Sequence, residues 1–167
     1  MYMHTYAIAK HMCKQVARAG MPASIPSFSL TLSLSLSLFL SLSLSLPLYR
    51  PLQGFVAQAG DITHGNGSGG DSIYGKKFKD DAAGLKVKLD RRGLLAMGNN
   101  GKHSNTSQFF ITFAPCTKLS GKHVCFGEMI EGEEVLALIE SSASGGVAGD
   151  ESPVVPVVIA DCGLLEE

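Results

Sequence analysis

Side chains capable of covalent, metal or phosphate chemistry are present in this 167-residue chain, but their spacing does not suit them to it. Four cysteines (Cys13, Cys116, Cys125 and Cys162) include no C-x-x-C pair. That weighs against a zinc ribbon, a redox motif or a dense disulfide framework, and it favours a reducing, cytoplasmic compartment. The five histidines do not cluster with cysteines or carboxylates at ligand spacing, so no metal site is expected. Gly98-Asn99-Asn100-Gly101-Lys102-His103 has the look of a phosphate loop. It lacks the G-x-x-x-x-G-K-[ST] frame, because position 96 is Ala and position 103 is His. The glycines from Gly65 to Gly70 do not follow the order strand, G-x-G-x-x-G, helix. Asn66-Gly67-Ser68 and Asn105-Thr106-Ser107 are glycosylation sequons, which matter only in a secreted protein. No Ser or Cys has the sequence context of an activated nucleophile.

Length and charge frame the elements that must position any site. At 17.6 kDa the chain allows one ordinary domain, or a smaller domain with an unusual tail. Its formal charge of −1 gives no basic excess that would argue for nucleic acid. The total hides a split: residues 1–60 hold four basic side chains and no acid, and Asp61 is the first acidic residue. After Gln53 the pattern is that of short strands. Gly54–Gly60 reads as a strand running into a turn, followed by a glycine-punctuated loop to Gly75. Leu94–Gly98, Gln108–Ala114 and Val124–Ile130 read as buried strands. Glu133–Ser142 reads as a helix, with Val135, Leu136, Leu138 and Ile139 on one face and Glu131, Glu133 and Glu134 at its positive end. Ser141–Pro153 is a polar loop. Val154–Cys162 is a closing strand, which Pro156 pushes toward an edge or a bulge. Strands dominate and helices are few, so an antiparallel sheet or barrel is the natural architecture.

The front of the chain is of another kind. From Leu30 to Leu48 every even position is Leu, and the odd positions are Ser except Thr31, Phe39 and Pro47. A membrane-spanning helix is disfavoured because about half of the window is Ser. A strand is the literal reading of period two, though ten leucines on one face would make an aggregation-prone ribbon. A cleaved presequence lacks a clear small-residue cleavage pattern. The preferred reading is translated non-coding sequence, since a CTCTCT tract encodes alternating Leu and Ser. Residues 1–48 are accordingly expected to be a low-complexity segment outside the domain that fills 49–167.

Several blocks of the second part are specific. Gly54-Phe55-Val56-Ala57-Gln58-Ala59-Gly60-Asp61, Asn66-Gly67-Ser68-Gly69-Gly70 with Ser72-Ile73-Tyr74-Gly75, and Gly93-Leu94-Leu95-Ala96-Met97 with Asn99 come first. Ser107-Gln108-Phe109-Phe110-Ile111-Thr112, Leu119-Ser120-Gly121-Lys122-His123-Val124-Cys125-Phe126-Gly127 and Ile159-Ala160-Asp161-Cys162-Gly163 follow in order. Over about 54–165 the chain resembles the cyclophilins, peptidyl-prolyl cis-trans isomerases built on an eight-stranded antiparallel barrel with two helices. The resemblance implies a mainly β, cyclophilin-like barrel, incomplete at the N-terminus because the first two strands and first helix find no match before Leu48.

The resemblance also implies a reaction that needs no nucleophile, metal or cofactor, because the barrier is rotation about a conjugated C–N bond. It places Phe55, Phe110 and Leu119 in an apolar cup for the proline ring, with Val56 where the family usually has Met. Gln58 would bind substrate backbone beside a catalytic arginine. Asn99, through its backbone, and Gln108 would hold the residues before proline; Gly67 would shape a neighbouring subsite, and His123 would stand at the pocket edge. Gly98 and Asn100 flank Asn99 where alanines are usual, loosening one wall and adding a polar group. Lys118 stands where many members carry a tryptophan that contacts cyclosporin, so cyclosporin binding is expected to be weakened. Arg50 has the spacing from Gly54 of the catalytic arginine. Leu48-Tyr49-Arg50-Pro51-Leu52 nevertheless replaces the usual Phe-His-Arg-Ile-Ile, and Pro51 restricts Arg50. A retained arginine and a chance one are both open on this sequence. The expected partners are proline-containing peptides, with no nucleic acid and no membrane.

Overall fold

The computed structural model describes residues 15–18, 46–143, 153 and 156–161. The expectations for the rest, including most of the Leu-Ser tract, lie outside the described residues. Among the described residues eight strands appear in chain order: β1 (Gln15–Arg18), β2 (Leu46–Leu48), β3 (Arg50–Leu52), β4 (Val56–Ala59), β5 (Leu94–Met97), β6 (Phe109–Thr112), β7 (Cys125–Glu128) and β8 (Val157–Asp161). They form a five-stranded sheet in the order β3-β4-β6-β5-β7 and a three-stranded sheet in the order β1-β8-β2. Every strand pair is antiparallel. The fold is thus mainly β, arranged as two sheets that do not close on each other among the described residues.

The front and back of the described chain pair with each other. Strands β1 and β2 do precede β3, and both pair with β8. The closing strand is therefore central and not an edge, while its register against β1 shifts between Gln15 and Val16, as the alternative of a bulge or irregularity expects. It starts at Val157, so the missing donor of Pro156 falls outside the ladder. The prolines that do lie within strands, Pro47 in β2 and Pro51 in β3, are both on edge strands, where one side of the ladder needs no donor.

The sheets share a core. Leu48 of β2, Ala57 and Ala59 of β4, Phe109 of β6, Phe113, and Val157 and Ile159 of β8 pack with Leu136 and Ile139. The last two come from α1 (Glu133–Ser141), where their i, i+3 spacing places them on one face. Glu133 and Glu134 occupy its first turn, where the helix dipole favours negative charge. Arg92 fastens the helix to the sheet. It pairs with Glu133 and Glu140, donates to the Phe113 carbonyl at 2.9 Å, and lies over the Phe113 ring. Glu140 also accepts from the backbone N–H of Gly54 at 2.9 Å, tying the helix to the β3–β4 turn.

Candidate active site

Strand register places Arg50 of β3 opposite Gln58 of β4, Gln58 opposite Phe110 of β6, and Phe110 opposite Ala96 of β5. Directly paired residues share a face, so these four side chains form a row across the sheet. The two-residue period adds Val56 to the same side. This is the face turned away from the shared core, and it carries a second apolar cluster. Val56, Ala96 and a Phe110 only 4% exposed pack there with Leu89, Leu94, Cys116 and Cys125, and Leu119 rests against them. Leu119 is delivered by a 3-10 turn, Thr117–Leu119, whose following residues fold back on it. The N–H groups of Lys122 and His123 both donate to the Leu119 carbonyl, at 3.1 and 3.2 Å. His123 meets Phe110 edge to face, with ring centroids 5.3 Å apart. Its Nδ1 lies 2.9 Å from the Met97 carbonyl. A carbonyl only accepts, so Nδ1 carries the proton.

The polar half of the row is organised by Gln108, which is 8% exposed. Its Oε1 accepts from Tyr49 Oη and from Gln58 Nε2, both at 2.8 Å. Its Nε2 donates to the carbonyls of Gly67 at 2.9 Å and Gly69 at 2.7 Å. An amide has two acceptor and two donor positions, and all four are used. Burial pushes the Tyr49 hydroxyl pKa well above its usual value and the Asp61 charge adds to this, against the lowering effects of Gln58 and Arg50. Tyr49 therefore remains a donor.

The glycine loop is wrapped around one carboxylate. Asp61 is 2% exposed. Its Oδ1 accepts from Thr63 N at 3.1 Å, Thr63 Oγ1 at 2.9 Å and His64 N at 2.9 Å. Its Oδ2 accepts from Asn66 N at 3.3 Å, Gly67 N at 2.9 Å and Gly69 N at 3.0 Å. Burial alone would raise its pKa. The bonds from His64, Gly69 and Thr63 outweigh burial and hold the carboxyl well below the usual range. The close wrapping explains two glycines. A Cβ on Gly69 would stand 1.9 Å from Thr63 Oγ1, and one on Gly67, at φ +87°, would stand 2.6 Å from the Tyr49 ring.

The remaining expected residues are placed as follows. Asn99 has its side chain engaged, Nδ2 on the Lys122 carbonyl at 2.9 Å and Oδ1 accepting from Gly101 N at 3.2 Å. Asn100 is exposed, its N–H on Ser104 Oγ at 2.9 Å. Gly98 lies against Gln108, where an added Cβ would stand 3.1 Å from the Gln108 Cβ. Phe55 is not gathered into the cluster. It sits 40% exposed on the β3–β4 turn, and its carbonyl accepts from Phe113 N at 2.9 Å. Tyr49 and Asp61 were not singled out from the sequence. For Asp61 a local signal existed, because Asp followed by Thr and a glycine cluster favours side-chain-to-backbone turns. Tyr49 had none, its partner being 59 residues away. Burial pushes the Cys116 and Cys125 thiols up, away from nucleophilic thiolate. Among the described residues no group of three His, Cys, Asp or Glu is placed to hold a metal.

A sequence model of the family described as "Cyclophilin type peptidyl-prolyl cis-trans isomerase/CLD" matches residues 42–164. The chain belongs to the cyclophilin family. The match begins upstream of the 48/49 boundary expected from composition, and so takes in β2. Peptidyl-prolyl cis-trans isomerase D of Saccharomyces cerevisiae is 45% identical over 71% of this chain and 50% of its own length. A peptidyl-prolyl cis-trans isomerase of Rhizopus delemar is 44% identical over 70% of this chain and 33% of its own. The chain thus spans half or less of these relatives. A cyclophilin type isomerase from Cryptosporidium parvum superposes with a TM-score of 0.66 at 35% identity, over 74% of this chain and 75% of that one. The same protein solved in the presence of the dipeptide Ala-Pro gives 0.65, over 74% and 76%.

Proposed function

We propose that the chain is a peptidyl-prolyl cis-trans isomerase acting on X-Pro bonds of proline-containing peptides. The observation that carries this reading is the row Arg50–Gln58–Phe110, in which a guanidinium, an amide and an aromatic ring share one sheet face. Phe110, Val56 and Leu119 take the proline ring, with His123 at the rim. Gln58 and the backbone at Asn99, between Gly98 and Asn100, take the chain beside it, and Gly67 shapes the adjoining subsite. Gln108 acts as a positioning residue, because its amide is spent on Tyr49, Gln58 and the glycine loop. Phe55 contributes its backbone carbonyl, which accepts from Cys116 Sγ of the cluster at 3.5 Å.

The chemistry asks little of these groups. Unaided X-Pro rotation takes tens to hundreds of seconds, and no covalent bond has to change partners. A thousandfold acceleration requires about 4 kcal/mol of preference for the twisted amide. An Arg50 hydrogen bond to the prolyl nitrogen weakens its conjugation, and the apolar cup excludes water from the bond. Such effects supply energies of that order. Exchange spectroscopy on an X-Pro peptide tests this. Faster exchange is expected, falling about 100-fold in Arg50→Ala. Binding without faster exchange would mean a proline-binding module instead. The cysteine usage supports a cytoplasmic setting, and Lys118 in place of a tryptophan supports weak cyclosporin binding.

A further inference from the structure

Resting on the isomerase reading, we propose that this chain selects prolines flanked by an acidic side chain, read by Lys118 and Lys122 on the wall of the cup. Lys118 precedes Leu119, which rests on the apolar cluster, and Lys122 precedes His123, which meets Phe110. The fold-back of the 122 and 123 N–H groups onto the Leu119 carbonyl brings these two positions together, and both lysines are exposed. The facing loop is joined to this wall by the bond from Asn99 to the Lys122 carbonyl, and it adds exposed Lys102. From Arg91 to Gly127 the sequence has five Lys or Arg and no Asp or Glu.

The acids on adjoining segments are already engaged. Asp90, next to the Leu89 whose backbone bonds to Ser120 and Cys116, pairs with Arg91 at 3.4 Å. Asp80 accepts from Asn105 and lies 3.2 Å from His103. Asp81 accepts from the N–H groups of Ala83 and Gly84, Gly84 being packed on Val124. Asp61 is consumed by the glycine loop. Among the described residues, none of Lys102, Lys118 and Lys122 has an acidic partner. The wall beside Leu119 and His123 therefore carries local positive charge that no acid pairs directly among the described residues. Such charge favours anionic ligands and disfavours cationic ones.

The test compares kcat/KM and binding for peptides with Glu, Gln or Lys beside an Ala-Pro unit, using the unaltered chain and the double variant Lys118→Glu with Lys122→Glu. The unaltered chain should prefer Glu over Gln by about three- to tenfold at low ionic strength. The preference should shrink toward one at about 0.5 M salt. The double variant should turn it toward Lys. The salt titration needs only the unaltered chain, so it stands even if the double variant folds poorly. Faster exchange with equal kcat/KM for the three peptides would overturn this inference and leave the isomerase reading intact. No faster exchange with any peptide would overturn that reading. The inference would fall with it if the Glu peptide also bound no tighter than the Gln peptide.

Discussion

At the scale of single residues, Gln108 shows how a side chain can matter to a reaction it does not touch. Its oxygen holds Gln58 beside Arg50, and its nitrogen holds the glycine loop through two carbonyls. Removing the amide leaves four polar groups without their partner in a partly buried site, each costing about 1–3 kcal/mol if water does not replace it. In Gln108→Leu the isomerase rate is expected to drop at least tenfold, mainly through KM, because Gln58 and the loop lose their fixed positions. The split between kcat and KM from exchange kinetics checks this. A mutant with unaltered KM would show that Gln108 positions nothing. The resemblance named Gln108 as a substrate contact, but the four internal bonds could not be read from sequence. Its partners come from three different segments, and no local periodicity records such a meeting.

At the scale of elements, the loop from Asp61 to Gly70 behaves as a small domain built on one charge. The Asp61 pKa is depressed in the folded protein relative to an unfolded value near 4. Its contribution is therefore fully present above that pH and is lost as pH falls through the lower folded value. Acid denaturation should show a steep loss of stability below about pH 4 that Asp61→Asn removes. At pH 7 that variant should be less stable by about 3 kcal/mol, because a neutral amide cannot accept from six donors. A pH series of denaturant melts measures both. Helix α1 obeys the more familiar rule: Leu136→Ala, at a buried position, should cost about 2–5 kcal/mol by the same assay. The strands β4, β5, β6 and β7 and this helix were legible in the sequence because apolar spacing marks them directly. For Asp61 the local turn had a signal in Thr63 and the glycines, but its burial under six donors did not, since a buried carboxylate looks like any loop acid until its donors are placed. Strands β1 to β3 were missed for a different reason. β1 and β3 lack a run of apolar residues, β2 ends a uniform repeat that marks no strand boundary, and β2 and β3 carry a proline.

At the scale of the molecule, the decisive segment is 46–52, which runs from the end of the Leu-Ser tract into the domain and contributes a strand to each sheet. Leu48 is 3% exposed in the core shared by both sheets. Its strand pairs with β8, while the next strand starts the five-stranded sheet two residues later. Tyr49 lies between them and reaches the site through Gln108. Arg50 is thus set opposite Gln58 by a chain anchored on both sides, and Pro51, at an edge, does not prevent it. If this segment is a working part of the domain, Leu48→Ala should destabilise the whole protein by about 2–5 kcal/mol. Net stabilities of about 5–15 kcal/mol make that a large fraction. The loss should appear in a single cooperative unfolding transition, because the mutated side chain packs against both sheets and the helix. Isomerase activity measured well below the melting temperature should change little, since Leu48 lies on the face away from the row. A chain indifferent to Leu48→Ala, but inactivated by Arg50→Ala, would mean that the arginine is held from the β4 side alone. One indifferent to both would make the arginine's spacing a coincidence.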